Sequence, residues 1–162
     1  MTELTPHNHL AQHDHSDCIH NALQTAERLC RERSLRFTAL RRRVLTLVWD
    51  SHKPIGAYEI LGKLGEQGRT AAPPTVYRAL DFLIDAGLVH RLDSLNAFVG
   101  CPDPDQAHTG QFLICRECRV VIELDDRDIA SLVASKAEAL GFSAVRQVLE
   151  IEGLCISCRK SA

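Results

Sequence analysis

The sequence predicts an α+β fold in two parts, a helical N-terminal part that ends in a small β-hairpin and a smaller α/β part after it. Three observations predict this division. Apolar residues recur at helical spacing in the first half and give way to two short strand-like runs on either side of residue 95. Two Cys-x-x-Cys pairs lie in the second half, and basic residues concentrate in the first half. A length of 162 residues fits one domain or two small ones.

The composition is that of a folded, water-soluble protein, with 45% apolar and 25% charged residues. No apolar run approaches the ~20 residues of a membrane-spanning helix. The first 18 residues have neither the basic start nor the apolar stretch of a secretory signal. Aromatic residues, at 5%, are too scarce for a surface that stacks single-stranded nucleic acid. We therefore expect a cytoplasmic protein with no membrane partner.

The charge is uneven along the chain. Residues 28–43 hold seven arginines and one acidic residue, whereas residues 93–162 hold eleven acidic and seven basic residues. A basic front half suggests an anionic partner such as nucleic acid. A solvated basic helix face is the alternative interpretation of the same charges.

Residues 1–17 are polar, and we expect them to form a disordered leader. Its four histidines, His7, His9, His13 and His15, are compatible with an additional zinc site, because histidine tracts can bind metal. A solvated leader without metal is the alternative, since an unstructured tail must become ordered to make a site.

Three helices are predicted after the leader. The first starts at Ser16 or Asp17, either of which can cap it, and carries Cys30 on its apolar stripe as a packed thiol. The second is capped by Thr38 and ends by Lys53-Pro54. The third starts near Ala57. Its inward residues are expected to be Tyr58, Leu61 and Leu64.

A fourth helix and a hairpin complete the first part. Two prolines at 73 and 74 suit the start of a helix, and Gly87 suits its end. Val76, Leu80 and Leu83 form its core stripe, which leaves Tyr77 and Arg78 facing elsewhere. The runs 88–92 and 97–99, joined by turn residues, follow as strands. Residues 18–100 therefore predict a winged helix-turn-helix, in which residues 73–87 enter the DNA major groove. A helical interaction domain is the alternative.

The second part, residues 101–162, follows a hinge at about residues 93–104. Strands are predicted at 111–114 and 120–124, then a helix opened by acidic residues and ended by Gly141, then a β-rich run at 142–151. The apolar stripe of that helix is Ile129, Leu132, Val133, Ala137 and Leu140.

The two Cys-x-x-Cys pairs, Cys115 with Cys118 and Cys155 with Cys158, are the most specific signal in the chain. Four thiolates on two tight turns match a tetrahedral structural zinc site, with no coordination position left open. The 36 residues between Cys118 and Cys155 contain a helix and a strand that can bring the turns together. A dithiol redox pair is the alternative, but no Cys-x-x-Cys stands at a helix start in a thioredoxin-like pattern.

Four further candidate ligands lie near the hinge: His90, Cys101, His108 and Glu123. Considered singly, each has an ordinary explanation, such as a satisfied histidine or a solvated carboxylate. Their spacing alone does not decide between one shared metal site and four unrelated side chains.

The combined motifs resemble the ferric uptake regulator family, most closely its zinc uptake regulator branch. The resemblance runs from about Ile19 to Cys158. Its motifs are Arg36-Phe-Thr-Ala-Leu-Arg41, Pro73-Pro-Thr-Val-Tyr-Arg-Ala-Leu-Asp81, and Phe112-Leu-Ile-Cys115-Arg-Glu-Cys118 after His108. It implies a winged-helix DNA-binding domain and an α/β dimerisation domain stabilised by zinc. The implied function is zinc-responsive repression of transcription by a homodimer on operator DNA.

The resemblance also implies roles for individual residues. The four cysteines of the two pairs match the structural zinc site, and His90, Cys101, His108 and Glu123 match the regulatory zinc site, so two zinc ions per protomer are expected. Thr75, Tyr77 and Arg78 match the recognition helix, and Arg41 and Tyr58 match positions near the DNA backbone. No catalytic activity and no small organic substrate are implied.

The sequence departs from the family pattern in its His-rich leader, which is not part of the common pattern, and in two motifs. The iron branch carries a histidine cluster where this chain reads Ala107-His108-Thr-Gly-Gln, and the family's Thr-Pro-Gln-Arg reads Thr38-Ala-Leu-Arg41. Two imidazoles, a thiolate and a carboxylate suit tetrahedral Zn(II) better than Fe(II) or Mn(II). An iron- or other-metal-responsive repressor of the family and, more remotely, a thiol oxidoreductase are the alternatives.

Overall fold

The computed structural model describes residues 15–50, 53–66, 68, 72–105 and 109–160. The chain divides into two compact units after Gln106. Segment 101–105 was predicted to belong to the second domain, and it lies in the N-terminal unit. The reason is local, because the N–H of Cys101 donates to the carbonyl of Leu88 (3.0 Å) and continues the hairpin. Together the two units confirm an α+β fold.

The N-terminal unit contains four helices and a three-stranded antiparallel sheet of order β1-β3-β2. The elements are α1 (His15–Glu32), α2 (Ala39–Trp49), β1 (Ile55–Gly56), α3 (Ala57–Glu66), α4 (Pro73–Asp85), β2 (Val89–Leu92) and β3 (Ala97–Gly100). This is the winged-helix arrangement that the pattern predicted. Strand β1, which pairs Ile55 with Phe98, was not predicted, since two residues carry no recognisable alternation.

The first helix begins earlier than the sequence suggested. It starts at His15, so residues 15–17 belong to α1 and not to a disordered leader. Neither His15 nor Ser16 is a helix-breaking residue, so the helix can begin before the predicted cap. The leader histidines at 7, 9 and 13 lie outside the described residues.

Most of the predicted helix boundaries are confirmed. The Thr38 side chain accepts a hydrogen bond from the Arg41 N–H and caps α2. Pro73 occupies the first turn of α4, and Gly87 follows its end with φ +75°, a conformation that favours glycine. Helix α2 ends at Trp49, before the predicted stop at Lys53-Pro54.

The core of this unit lies where α2, α3 and α4 meet the hairpin. Val76, Leu80 and Leu83 of α4 are fully buried, as predicted. Tyr58 was predicted to face inward, and this is wrong: its side chain is 76% exposed. Helix α3 instead buries Ala57, Ile60 and Leu64, and this stripe places Tyr58 on the opposite side.

The C-terminal unit has one three-stranded sheet of order β5-β4-β6 and two helices. Its elements are β4 (Gly110–Cys115), β5 (Val121–Glu123), α5 (Arg127–Ala139), β6 (Val148–Gly153) and α6 (Ile156–Lys160). Strand β4 pairs antiparallel with β5 and parallel with β6. The β-rich run predicted at 142–151 forms a strand only from Val148, where pairing with Gly110 begins.

Helix α5 is capped at both ends as its sequence suggests. Asp126 accepts hydrogen bonds from the N–H groups of Asp128 (2.9 Å) and Ile129 (3.1 Å), and Gly141 follows the helix with φ +72°. The apolar stripe is nevertheless uncovered in the single chain, with Leu132 59% and Leu140 86% exposed. Among the described residues, no helix has the length and apolar character needed to cross a membrane.

Candidate metal centres and nucleic-acid interface

The two Cys-x-x-Cys pairs come together in the C-terminal unit. The Sγ atoms of Cys115, Cys118, Cys155 and Cys158 all lie within 4.8 Å of one another. The Cys118 and Cys155 sulfurs are 3.7 Å apart, too far for a disulfide, whose S–S bond is about 2.05 Å. None of the seven cysteines is disulfide-bonded.

The backbone brings these two turns together. Strands β4 and β6 pair in register up to Cys115 opposite Gly153, and the Arg116 N–H donates to the Gly153 carbonyl (2.9 Å). The first turn closes through the Arg119 N–H and the Cys115 carbonyl (3.0 Å), with Arg119 at φ +62°. Cys155 follows β6 after one residue, so the strand pairing closes the long gap in sequence between the pairs.

The thiols of this cluster have unequal acidities. The backbone N–H of Cys155, 3.4 Å from Cys115 Sγ, together with that of Cys118, lowers the pKa of Cys115 to about 6. Hydrogen bonding to the Cys155 thiol raises the pKa of Cys158 to about 12. Hydrogen bonds from the backbone therefore stabilise one thiolate before any metal binds.

The donor set fits a tetrahedral zinc ion. With Zn–S bonds of about 2.3 Å, the sulfurs of a tetrahedral site lie about 3.8 Å apart. The measured separation of 3.7 Å between Cys118 and Cys155 matches this value. Four soft thiolates that leave no coordination position open are the donor set typical of structural zinc sites.

Two of the four predicted regulatory ligands are close together in the N-terminal unit. His90 lies on β2 opposite Val99, and Cys101 continues β3 on the same face of the hairpin. A ring nitrogen of His90 and Cys101 Sγ lie within 4.8 Å. Glu123 is the last residue of β5 in the C-terminal unit, and His108 lies outside the described residues.

The residues predicted to face DNA lie mostly on exposed surfaces of the N-terminal unit. Thr75, Tyr77 and Arg78 stand on the outer side of α4, and Tyr58 stands on the first turn of α3. Arg41 is different because it is partly buried. Its guanidinium lies 3.5 Å from the centroid of the Phe82 ring and also donates to the Arg36 carbonyl.

Comparison with known proteins decides the family. The profile of the Ferric uptake regulator family matches residues 32–152. The chain belongs to this family. It is similar to the zinc uptake regulation protein of Escherichia coli strain K12, with 39% identity over 137 residues that cover 84% of this chain and 80% of the relative.

Two solved structures resemble the whole described fold. One is holo XcZur, 48% identical with a TM-score of 0.80, covering 86% of this chain and 98% of that chain. The other is a zinc uptake regulator complexed with zinc and DNA, 38% identical with a TM-score of 0.84, covering 88% of this chain and 96% of that chain.

In this member of the ferric uptake regulator family, several arginines of the basic segment have structural partners that the sequence did not reveal. Arg33 donates to the Ala86 carbonyl (2.9 Å), and Arg42 pairs with Glu27. Arg28 pairs with Glu32 one helical turn away and with Asp105 far along the chain. Of these contacts, only the Arg28–Glu32 pair has a spacing in sequence, i to i+4 on one helix, that by itself favours an ion pair. Part of the positive charge therefore stabilises the unit itself.

Proposed function

We propose that this protein is a zinc-responsive transcriptional repressor that binds operator DNA as a homodimer when its regulatory site is loaded with zinc. The observation that carries the proposal is the likeness to a zinc uptake regulator in complex with zinc and DNA, at a TM-score of 0.84 and 38% identity. The two cysteine-containing clusters supply the donor chemistry that such a regulator needs.

The first zinc is structural and bound by Cys115, Cys118, Cys155 and Cys158. Helices α5 and α6 contain no buried residue in the single chain, so the C-terminal unit has a small core of its own. Metal binding then contributes directly to folding, with an apparent free energy of about 10 kcal/mol or more in small zinc domains.

The second zinc is regulatory and bound by His90, Cys101, His108 and Glu123. Two imidazoles, one thiolate and one carboxylate form a tetrahedral set that selects Zn(II) over metals preferring five or six oxygen and nitrogen ligands. The proximity of His90 and Cys101 supports this assignment from the DNA-binding side. All four positions are filled by protein, so the proposal includes no catalytic activity and no small organic substrate.

Regulation follows from a shift of populations. Without the second zinc, the two winged helices of a dimer sample a range of separations. Zinc bound by ligands from both units restricts the two winged helices to one separation. That separation matches two operator half-sites in successive major grooves. Zinc and DNA must then strengthen each other's binding by the same factor.

DNA recognition is assigned to α4. Thr75, Tyr77 and Arg78 are exposed on one side of this helix, where an arginine can read guanine by a bidentate contact. Tyr58 supplies a phosphate or sugar contact from α3. The site of action is the DNA of the bacterial cytoplasm.

Operator binding as a function of zinc tests the proposal. An operator fragment is first selected from random-sequence duplex DNA with zinc-loaded protein, and its affinity is then titrated with zinc for the wild type, Cys101→Ser and His90→Ala. Both variants should keep one tight zinc by elemental analysis and remain near the metal-depleted affinity, because each loses a regulatory ligand.

Cys18→Ser is the matched control, since Cys18 lies on α1 outside both clusters. It should retain two zinc ions per protomer and a full zinc response. Full zinc-dependent binding by Cys101→Ser would exclude the regulatory site. The leader histidines would then be the next candidates, and deletion of residues 1–14 the next experiment.

A further inference from the structure

Trp49 lies directly against the backbone that precedes Cys101. A Cβ atom built on Gly100 would be 2.2 Å from Cε2 and 2.4 Å from Nε1 of the Trp49 indole. Non-bonded atoms do not approach each other this closely. The indole ring therefore occupies the space that a side chain at position 100 would need. The last residue of α2 therefore packs on the last residue of β3.

A second contact holds the same segment four residues beyond Cys101. The Nη2 atom of Arg28 lies 2.7 Å and 2.6 Å from the two carboxylate oxygens of Asp105. Glu32, one turn further along α1, accepts from the other terminal nitrogen of Arg28 (3.3 Å). The arginine is thus oriented from its own helix and reaches across to the segment after the hairpin.

Cys101 lies between these two contacts and is itself 3% exposed. Its N–H donates to the Leu88 carbonyl (3.0 Å), which extends the β2–β3 ladder by one residue. Neighbouring residues of a strand point to opposite faces, so Trp49 packs on one face of the hairpin while the Cys101 thiol lies near His90 on the other. Neither Trp49 nor Arg28 supplies a metal ligand.

We propose that Trp49 and Arg28 are positioning residues that hold Cys101 beside His90 before zinc arrives. The inference rests on the proposed regulatory role of these two ligands. A chain segment ordered during folding loses little further freedom when metal binds, so preorganisation strengthens metal binding. Without the two contacts, zinc would have to order residues 100–105 itself.

The same contacts connect the zinc ligand to the recognition helix. Helix α2 carries Trp49 at its end and Arg41 in its first turn, and the Arg41 guanidinium lies over Phe82 of α4. A displacement of Trp49 therefore acts on the helix that supports α4. Variants that disturb this contact should weaken the coupling between zinc and DNA as well as zinc affinity.

The test is a zinc titration of the full-length dimer against a competing chelator, with the structural zinc retained. Gly100→Ala should weaken the labile zinc about tenfold, because the added methyl displaces the indole. Arg28→Gln should weaken it about threefold, as expected for loss of an exposed ion pair. Asp105→Asn should weaken it by the same factor, and Arg28→Gln combined with Asp105→Asn by no more than either change alone, because each removes the same ion pair.

Matched controls separate positioning from general damage. Gly56→Ala places a methyl on β1 where nothing lies within 4 Å, and Arg31→Gln removes an exposed arginine of the same helix. Both should titrate as the wild type does. Trp49→Phe should keep more of the zinc affinity than Trp49→Ala, since a smaller ring can still cover Gly100.

Trp49 also provides a spectroscopic readout, because it is the only tryptophan in the chain. Gly100→Ala should shift the emission before zinc is added, whereas zinc should leave the wild-type emission nearly unchanged, because the contact between Trp49 and Gly100 is already formed. A large zinc-dependent change of emission in the wild type would contradict the proposal, because zinc would then be ordering this segment itself.

The failures are distinguishable. A wild type that binds only one zinc would refute the proposed function and with it the positioning role. A wild type with a labile zinc that Cys101→Ser loses, but with the affinity unchanged in Gly100→Ala and Arg28→Gln, would refute the positioning role alone. Additive losses in Arg28→Gln and Asp105→Asn would refute the role of the Arg28–Asp105 pair.

Discussion

At the residue scale, the thiol of Cys115 shows how the fold prepares a proposed zinc ligand. It is a thiolate near neutral pH because the backbone N–H groups of Cys155 and Cys118 lower its pKa to about 6. Cys158 stays protonated over the same range, since hydrogen bonding to Cys155 raises its pKa to about 12. Zinc must therefore displace a proton from Cys158 at any working pH, and from Cys115 only in acid.

The difference between the pKa values of Cys115 and Cys158 predicts how zinc affinity depends on pH. Each displaced proton makes affinity rise about tenfold per pH unit, so the logarithm of affinity should increase with pH and steepen by one proton below about pH 6. Chelator competition with Cys101→Ser, which isolates the structural zinc, measures the slope on both sides of that value. A slope that stays constant through this range would contradict the assignment of the low pKa to Cys115.

Arg41, which the family resemblance places near the DNA backbone, also has a packing role within the N-terminal unit. Its guanidinium stacks on Phe82, so Arg41→Ala should lower the free energy of unfolding by ~1 kcal/mol and weaken binding to all DNA sequences through a loosened α4. Urea denaturation of Arg41→Ala, Phe82→Leu and the double variant measures the coupling. Wild-type stability together with a reduced salt dependence of DNA binding would instead indicate the phosphate contact that the family resemblance implies.

At the element scale, α4 combines a buried stripe with an exposed one. Val76, Leu80 and Leu83 are fully buried, whereas Tyr77 and Arg78 remain accessible. Residues one position apart on a helix point about 100° away from each other, so the same short segment packs on the core and presents a reading surface. The helix can therefore be docked rigidly on the core while Tyr77 and Arg78 stay free to make the DNA contacts proposed for them.

Replacement of Arg78 by alanine tests this surface. Loss of a base-reading arginine should weaken operator binding by ~1–3 kcal/mol and relax specificity at one base position, with zinc content and stability unchanged. Competition with operators altered one base at a time measures the change. Asp85→Ala, at the end of the same helix, is a control for general effects on α4. Normal operator affinity in Arg78→Ala would place the reading surface elsewhere.

At the scale of the whole molecule, the C-terminal unit exposes several large apolar side chains that a stable monomer would normally bury. The exposed fraction is 68% for Phe142, 98% for Val145 and 54% for Ile156, in addition to the uncovered stripe of α5. Exposed apolar surface of this extent marks an interaction site. A second copy of the chain is the partner that the proposed homodimer supplies.

Leu132→Asp should therefore dissociate the dimer. Covering a leucine contributes ~1.5–3 kcal/mol for each of two symmetric copies, and a carboxylate in its place would be buried without a partner. Sedimentation velocity at decreasing concentration measures the change, and operator affinity should fall with it. Leu35→Asp, an exposed leucine of the N-terminal unit at 39%, is the control and should remain dimeric. A Leu132→Asp dimer as tight as the wild type would contradict the assignment of this face.

The sequence by itself determined the features that depend on neighbours a few residues apart. Thr38, Pro73, Gly87 and Gly141 mark helix ends through local backbone geometry, and the alternation of helix and strand patterns predicts both units. The two Cys-x-x-Cys turns are also recognisable in the sequence, because a spacing of three residues suffices to direct two sulfurs to one centre. These features need no knowledge of what packs against them.

Tertiary structure alone decided the features whose partners are distant in sequence. The outward direction of Tyr58, the stacking of Arg41 on Phe82 and the pairing of Arg28 with Asp105 depend on contacts between separate elements. The apolar stripe of α5 has the spacing of a core-facing stripe, yet its side chains are exposed to solvent in the single chain. A periodic pattern specifies which residues share a face, whereas only the packed chain specifies what that face meets.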